Sequence, residues 1–209
     1  SALESDERSW VVFESGPFGA TYAHALGIRP HVDRANPILA LIGSPTELTK
    51  LQSDRLESQS GVDLITVDDP ASDVGQLLSR LRASAEIGKT VIGIRTTSRD
   101  GSAPDPLHAS QMLALIIDLA VEYADSMQFD GIYASGGDVA FAVLDALGAR
   151  GYEAENEVVP LAVSGKLVGG PHDGLGFATK GGLVGDADEA VECINQLRSR
   201  IRQSEPRIV

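Results

Sequence analysis

The sequence predicts an α/β fold, a three-layer α/β/α arrangement around a mostly parallel or mixed sheet. Three observations carry this expectation. Strand-like and helix-like segments alternate along the chain. Several strand-like segments are short apolar runs rather than polar/apolar alternations, as strands buried on both faces are. Three of these runs end in glycine-rich turns that lead into helix-like stretches.

Taken in order, the chain opens with a strand-like run at Trp10–Glu14 and a helix-like run at Phe18–Leu26. A polar connector, Arg29 to Asn36, follows and places the start of the main domain at Pro37. One strand and one helix cannot bury themselves, so residues 1–36 read as a linker or the remnant of something larger. From Pro37 onward the strand candidates are Ile38–Ile42, Leu64–Val67, Val91–Arg95, Gly131–Ala134, Val158–Ser164 and Phe177–Lys180. The helix candidates are Glu47–Gln59, Ser72–Ala85, Pro106–Asp125, Val139–Arg150 and Ala187–Arg202. The last carries Ala190, Val191, Ile194 and Leu197 at helical spacing. Thr96–Pro106 is a polar loop, and Val158–Lys180 holds strand pieces split at Gly165, Gly169–Pro171 and Gly174, which suit antiparallel hairpins.

Composition limits the function. The chain has 209 residues, 43% of them hydrophobic, enough for a core of one large domain. Thirty acidic residues oppose seventeen basic ones, a net charge of −13, which repels a nucleic-acid backbone. A small anion can still be held by backbone N–H groups. The longest apolar stretch, around Met112–Val121, contains Asp118 and is too short to span a bilayer, so no membrane partner is expected. Cys193 is the single cysteine and lies on an apolar helical stripe; it reads as a buried structural thiol, and a reducing, cytoplasmic setting fits it. The four histidines show no metal-ligand spacing, and no nucleophile elbow is present.

The three glycine turns are the candidate site. Gly43-Ser44-Pro45-Thr46 follows the first apolar run, and Ser44 either meets a phosphate or caps the next helix. Ser135-Gly136-Gly137-Asp138 precedes Val139 and the next helix; its glycines allow close approach of a ligand, and Asp138 either holds Mg²⁺ or caps the helix. Thr179-Lys180-Gly181-Gly182-Leu183-Val184-Gly185-Asp186 sets a lysine beside glycines, a frequent phosphate clamp. Neither GxxxxGK[ST] nor GxGxxG is present, which argues against a P-loop and against NAD. If the strands are parallel, all three turns lie on one sheet edge, where α/β proteins gather ligands. Arg95 and Arg99 flank the polar loop and either meet an anion or are solvated. His172-Asp173 either borders the site or is a surface turn, and Asp68-Asp69 reads as a strand-end turn.

Across these turns the chain resembles the C-terminal, nucleotide-binding half of the four-carbon acid sugar kinase family. The likeness rests on Gly43-Ser44 with Thr49 and Gln52 on the following helix, on Gly136-Gly137-Asp138-Val139-Ala140 with Ala146-Leu147-Gly148 closing that helix, and on Lys180-Gly181-Gly182-Leu183-Val184-Gly185. It covers about Pro37 to Leu197, and Glu14–Phe18 looks like the end of the family's N-terminal half. Val139 stands where the family has Thr, and Leu183-Val184 where it has an aromatic turn.

The resemblance implies ATP- and Mg²⁺-dependent phosphorylation of threonate, erythronate or an oxo-tetronate. It implies nucleotide contacts from Ser44, Ser135, Gly136, Gly137, Asp138, Val139, Lys180, Gly181, Gly182 and Gly185, with Mg²⁺ at Asp138. It makes 37–209 the nucleotide-binding domain and 1–36 the tail of a substrate domain. The family's Asp-rich motif for the sugar acid is absent from this sequence. The chain is therefore expected to bind nucleotide yet to be inactive without a substrate-binding half, and no catalytic residue is assigned. The alternative is a non-catalytic nucleotide-binding, regulatory or interaction module of the same fold, with homodimerisation through an apolar docking face.

Overall fold

The computed structural model describes residues 36–43, 46–97 and 105–204. The expected elements at Trp10–Glu14 and Phe18–Leu26 lie outside these residues, as do Ser44 and Arg99.

Among the described residues seven strands form one sheet: β1 (Ile38–Ile42), β2 (Val62–Val67), β3 (Val91–Thr96), β4 (Gly131–Ser135), β5 (Gly151–Val159), β6 (Ala162–Val168) and β7 (Gly176–Lys180). Their spatial order is β2-β3-β1-β4-β7-β6-β5. The first five in that order run parallel. The β5–β6 hairpin is antiparallel and joins antiparallel to β7. The sheet is therefore mixed, with a parallel core and one antiparallel wing. All five residues of β1, β4 and β7 are buried, in keeping with their apolar, two-faced character.

Among the described residues five helices cover the sheet: α1 (Glu47–Glu57), α2 (Val74–Glu86), α3 (Pro106–Ser126), α4 (Gly137–Ala146) and α5 (Glu189–Ser204). Strand alternation separates two cores. Leu39, Leu41, Ile92, Ile94, Ile132 and Phe177 meet α2, α3 and α4 on one face. Ile38, Ala40, Ile42, Tyr133 and Ala178 meet Leu56 of α1 and Ala190, Cys193, Ile194 and Leu197 of α5 on the other. This is the expected three-layer architecture.

Three helix starts are closed by their own side chains. Thr46 Oγ1 accepts from Thr49 N at 3.1 Å, Asp73 Oδ1 from Gln76 N at 2.8 Å, and Asp105 Oδ1 from His108 N at 2.9 Å. Pro106 sits in the first turn of α3, where its missing N–H costs nothing. At 21 residues α3 is longer than its apolar run and, by length and composition alone, could cross a membrane. Its buried residues Met112, Leu115, Ile116, Leu119, Ala120 and Tyr123 instead recur at helical spacing and pack on the sheet.

Two sequence expectations are corrected. Val158–Ser164 is not one strand: the chain turns at Pro160 and Leu161, and Leu161 takes φ +70°. Gly165 does not split the wing, because it lies inside β6. The strand before this turn, β5, was not foreseen. Its sequence GYEAENEVV is exposed along most of its length, as suits a sheet edge guarded by charge.

The Tyr123 ring packs edge-on against Phe129 with centroids 5.4 Å apart, while its hydroxyl is buried without a hydrogen-bond partner. Burial pushes that hydroxyl well above its ordinary pKa. Tyr123→Phe keeps the ring and removes the unsatisfied group. It is expected to leave stability unchanged or raise it by about 1 kcal/mol in denaturant melts; a clear loss would show that the hydroxyl is bonded.

Candidate functional site

The parallel register puts the three glycine turns side by side. Ile42 pairs with Ser135, and Ser135 with Lys180, so β1, β4 and β7 end on one line. Backbone bonds join the turns beyond the strands. Gly43 N donates to Ser135 O at 3.2 Å, and Gly136 N to Lys180 O at 3.0 Å.

The start of α4 differs from that of the three side-chain-capped helices. Its cap is Gly136 at φ +110°, a conformation only glycine adopts without strain, and no side chain closes the first turn. Gly137 and Asp138 are exposed, and a Cβ on Gly137 would meet nothing within 4 Å. Open space, unshared N–H groups and the positive end of the helix dipole meet here, which is what an anion needs. Asp138 adds one exposed carboxylate in that first turn.

Beside it a cleft of about 190 Å³ opens on the α3/α4 side of the sheet. Gly43, Asp138 and Val139 contribute to it together with Thr96, Thr97 and residues of α3. Gly43 is there because nothing larger fits: a Cβ would run into Val139 Cγ2 and come within 2.9 Å of Ile116 Cδ1. Val139, where the resemblance expects Thr, is 4% exposed and packs as an apolar residue.

The other predicted residues lie on the opposite face or in the third turn. Ser135 is 1% exposed, and its hydroxyl neighbours that of Tyr133 without a well-formed hydrogen bond. Lys180 is also 1% exposed and does not reach the cleft. It follows Ala178 on the α5 side, and its Nζ donates to Gly181 O at 2.9 Å. Burial lowers its pKa, partly offset by Cys193 and Glu189. Glu189 is raised by burial and by Asp186, and the Cys193 thiol is pushed up to about 12, chiefly by burial. A buried ammonium under a glycine turn fits a brace better than a phosphate clamp.

That turn is braced from α1 as well. Thr46 Oγ1 and Thr49 Oγ1 both donate to Gly182 O, at 3.0 and 2.9 Å. Gln52 Nε2 donates to Val184 O at 2.9 Å and to Asp186 O at 2.6 Å. Thr49 and Gln52 are 2% and 1% exposed; the Thr49 hydroxyl and the Gln52 amide nitrogen are committed to the turn, while Gln52 Oε1 is buried without a hydrogen-bond partner. Gly185 sits at φ +79°, where a Cβ would run into Glu189. Thr49 and Gln52, which carried part of the sequence resemblance, thus hold the glycine turn in place.

Other candidates fall away. Arg95 is engaged by Asp54 and by Glu57, the latter at 3.0 Å, on α1. His172 and Asp173 lie between β6 and β7, at the end of the sheet opposite the glycine turns; Asp173 Oδ1 accepts from Gly169 N at 2.5 Å. Asp69 Oδ1 accepts from Ala71 N at 2.9 Å, a turn as expected. Among the described residues no group of three or more His, Cys, Asp or Glu is placed to hold a metal ion. The sequence reading missed Thr96, Thr97, His108 and Met112 as cleft residues. The Asp105-Pro106 start signal fixes where α3 begins, and so places His108, but nothing in the sequence joins it to Asp138.

Residues 39–189 match the family described as the nucleotide-binding C-terminal domain. The chain is 34% identical to D-erythronate kinase of Heliobacterium modesticaldum, over 92% of this chain and 49% of that protein. It is 27% identical to D-threonate kinase of Salmonella typhimurium, over 71% of this chain and 40% of that protein. The chain therefore spans about half the length of the curated relatives it matches. A solved Bordetella bronchiseptica structure, described as a domain of unknown function with bound citrate in a domain-swapped dimer, matches with TM-score 0.66 and 26% identity, over 78% of this chain and 41% of that one. A Haemophilus influenzae structure shares the fold at TM-score 0.62 and 17% identity, over 85% of this chain and 45% of that one.

The contact between Gly43 and Val139 gives a direct check on the site's packing. Gly43→Ala is expected to cost about 1–3 kcal/mol in denaturant melts, the range for overpacking. Adding Val139→Ala should recover part of that loss, a coupling of about 0.5–3 kcal/mol. Strictly additive effects would show that the two positions do not press on one another.

Proposed function

The chain belongs to the four-carbon acid sugar kinase family as its C-terminal nucleotide-binding part, and on that premise we propose that it binds ATP·Mg²⁺ at the start of α4 and presents the γ-phosphate to a small sugar acid. The observation that carries the reading is the glycine-capped, open first turn of α4 on the edge where β1, β4 and β7 end.

In this reading the N–H groups of Gly137, Asp138 and Val139 receive phosphate oxygens, joined by Ser44 from the first turn, while Gly136, whose own N–H is bonded to Lys180 O, lets the phosphates approach the backbone closely. Mg²⁺ would arrive on the phosphates, for which a single carboxylate, Asp138, is a sufficient protein ligand. The ion would draw charge from the transferring phosphoryl group. Gly181, Gly182 and Gly185 form the turn that covers the nucleotide. Lys180, Thr49 and Gln52 fix that turn from below, and Ser135 lies beneath it. Positioning of this kind is most of what phosphoryl transfer asks of a protein. Val139 contributes backbone only, since its side chain fills the space beside Gly43.

The acceptor is a four-carbon sugar acid of the erythronate or threonate type, in a cytoplasmic enzyme. The curated relatives are about twice as long, and we assign the acceptor site and the general base to the part of such a protein that this chain does not match. The chain alone is then expected to bind ATP and to phosphorylate neither acid.

Titration calorimetry tests the site. ATP with Mg²⁺ should bind, and Asp138→Ala should weaken it by about 1–3 kcal/mol, the range for a lost charge-assisted contact. With Mg²⁺ chelated, the carboxylate only repels phosphate, so the variant should bind as well as the parent or better. Absence of ATP binding at millimolar concentration, or an Asp138→Ala variant unaffected in Mg²⁺, would overturn the reading.

A further inference from the structure

Beneath the third glycine turn, on the α1/α5 side of the sheet, lies a knot of buried polar groups whose bonding is incomplete. Strand register fixes its floor. Ser135 of β4 pairs with Lys180 of β7, and Tyr133, two residues before Ser135 on the same face, pairs with Ala178. Ala162 of β6 lies on the other side of Lys180. The roof is the start of α5. Glu189 there is 3% exposed, and the wholly buried Cys193, one turn on, has its thiol 3.8 Å from Glu189 Oε1.

These groups face one another without bonding directly. The Tyr133 and Ser135 hydroxyls are buried without a hydrogen-bond partner. Lys180 Nζ donates to Gly181 O, which leaves the rest of its N–H groups to be placed. Glu189 attracts the ammonium, but no direct ion pair joins the two. All are near neighbours nonetheless. Burial chiefly raises the pKa of the Tyr133 hydroxyl, Cys193 and Glu189 raise it further, and the Ser135 hydroxyl opposes them. A buried polar group left unbonded is costly, and native proteins seldom keep several in one place. Ala178 and Ala162 put only methyl groups on this stretch of the floor.

Charge chooses the occupant. Lys180 repels a metal cation, and Glu189 repels an inorganic anion. Water is neutral, accepts from an ammonium, donates to a carboxylate and serves hydroxyls in either sense. We propose that an ordered water is bound here, accepting from Lys180 Nζ and linking it to Ser135, Tyr133 and Glu189. Internal waters with several polar partners are regular parts of folded proteins. This one joins β4, β7 and α5 directly under the turn. Glu189 also packs beneath Gly185, where a Cβ would run into it, so the bridge reaches both ends of the turn. Tyr133 and Ser135 become positioning residues that hold the turn through Lys180. The site stands whether or not the turn covers a nucleotide.

A high-resolution crystal structure of the chain and hydrogen exchange of its variants test the water. Density is expected about 2.7–3.2 Å from Lys180 Nζ and from at least one of Ser135 Oγ, Tyr133 Oη and the Glu189 carboxylate. Lys180 bonded directly to those groups, with no such density, overturns the proposal. So does density that takes up bromide from a soak, the mark of a halide. The Gly181 and Val184 N–H groups, bonded to Leu161 O and Gly181 O, report on the turn. Tyr133→Phe should speed their exchange about fivefold or more, the factor that one ordinary hydrogen bond sets. Ser135→Ala should do the same, and the double variant should go little further than either, because one water serves both hydroxyls. A hydroxyl that is merely buried and unbonded behaves oppositely: its removal leaves exchange unchanged or slows it, and that result overturns the proposal. Additive effects of the two substitutions overturn it too, since they mean separate partners.

Discussion

The parallel register of β1, β4 and β7 is the constraint on which the rest of this molecule depends. It sets Ile42, Ser135 and Lys180 in one row across three strands. Each strand leaves the sheet at the same level, so three turns separated by many residues become neighbours. A one-residue slip of β7 would exchange its faces, bringing Lys180 up to the α3/α4 side and sending Thr179 below. The apolar residues on both faces of these strands prevent such a slip, because it would bring the wrong side chains to each core.

From that row the two faces take different roles. On the α3/α4 side the strand ends meet an open helix start and a cleft with apolar walls. On the α1/α5 side they meet buried polar groups that answer one another: Lys180 on the Gly181 carbonyl, Thr46 and Thr49 on Gly182, and Gln52 on Val184 and Asp186. A glycine-rich turn is entropically costly to hold in one shape. Here its carbonyls are held by side chains of which Lys180, Thr49 and Gln52 are almost fully buried, which gives the turn the rigidity that its own sequence lacks. Buried polar groups of this kind stabilise only when they are satisfied, so the brace and the turn stand or fall together.

Much of this was legible in the sequence. The strand at Ile38–Ile42 was read with its exact bounds, since Pro37 and Gly43 delimit a wholly apolar run. The gathering of the three turns on one edge followed from alternation of strands and helices. Other features were not legible, for physical reasons. β5 is an edge strand whose apolar/acidic alternation spans only Tyr152-Glu153-Ala154-Glu155 before Asn156 interrupts it, and it is exposed along most of its length, so its signal is short and weak. The turn at Leu161 interrupts an apolar run without a glycine, in a conformation that leucine rarely takes. Lys180 beside glycines looks like a phosphate ligand, but which side of a strand it occupies depends on pairing and on which helix covers that side. The cleft was invisible because Met112 and Ile116 carry the same helical spacing as the core residues around them. Only the packing of α3 against α4 makes one end of that stripe the wall of an opening.

The claim at the centre of this account is that phosphate is held at the open start of α4. Backbone amide shifts report it most directly, in a ¹⁵N-labelled chain titrated with ATP·Mg²⁺. Gly137, Asp138 and Val139 should show the largest shifts, and the same three should respond to inorganic tripolyphosphate. Shifts centred on the capped starts of α2 or α3, or none at these three amides, would contradict the account.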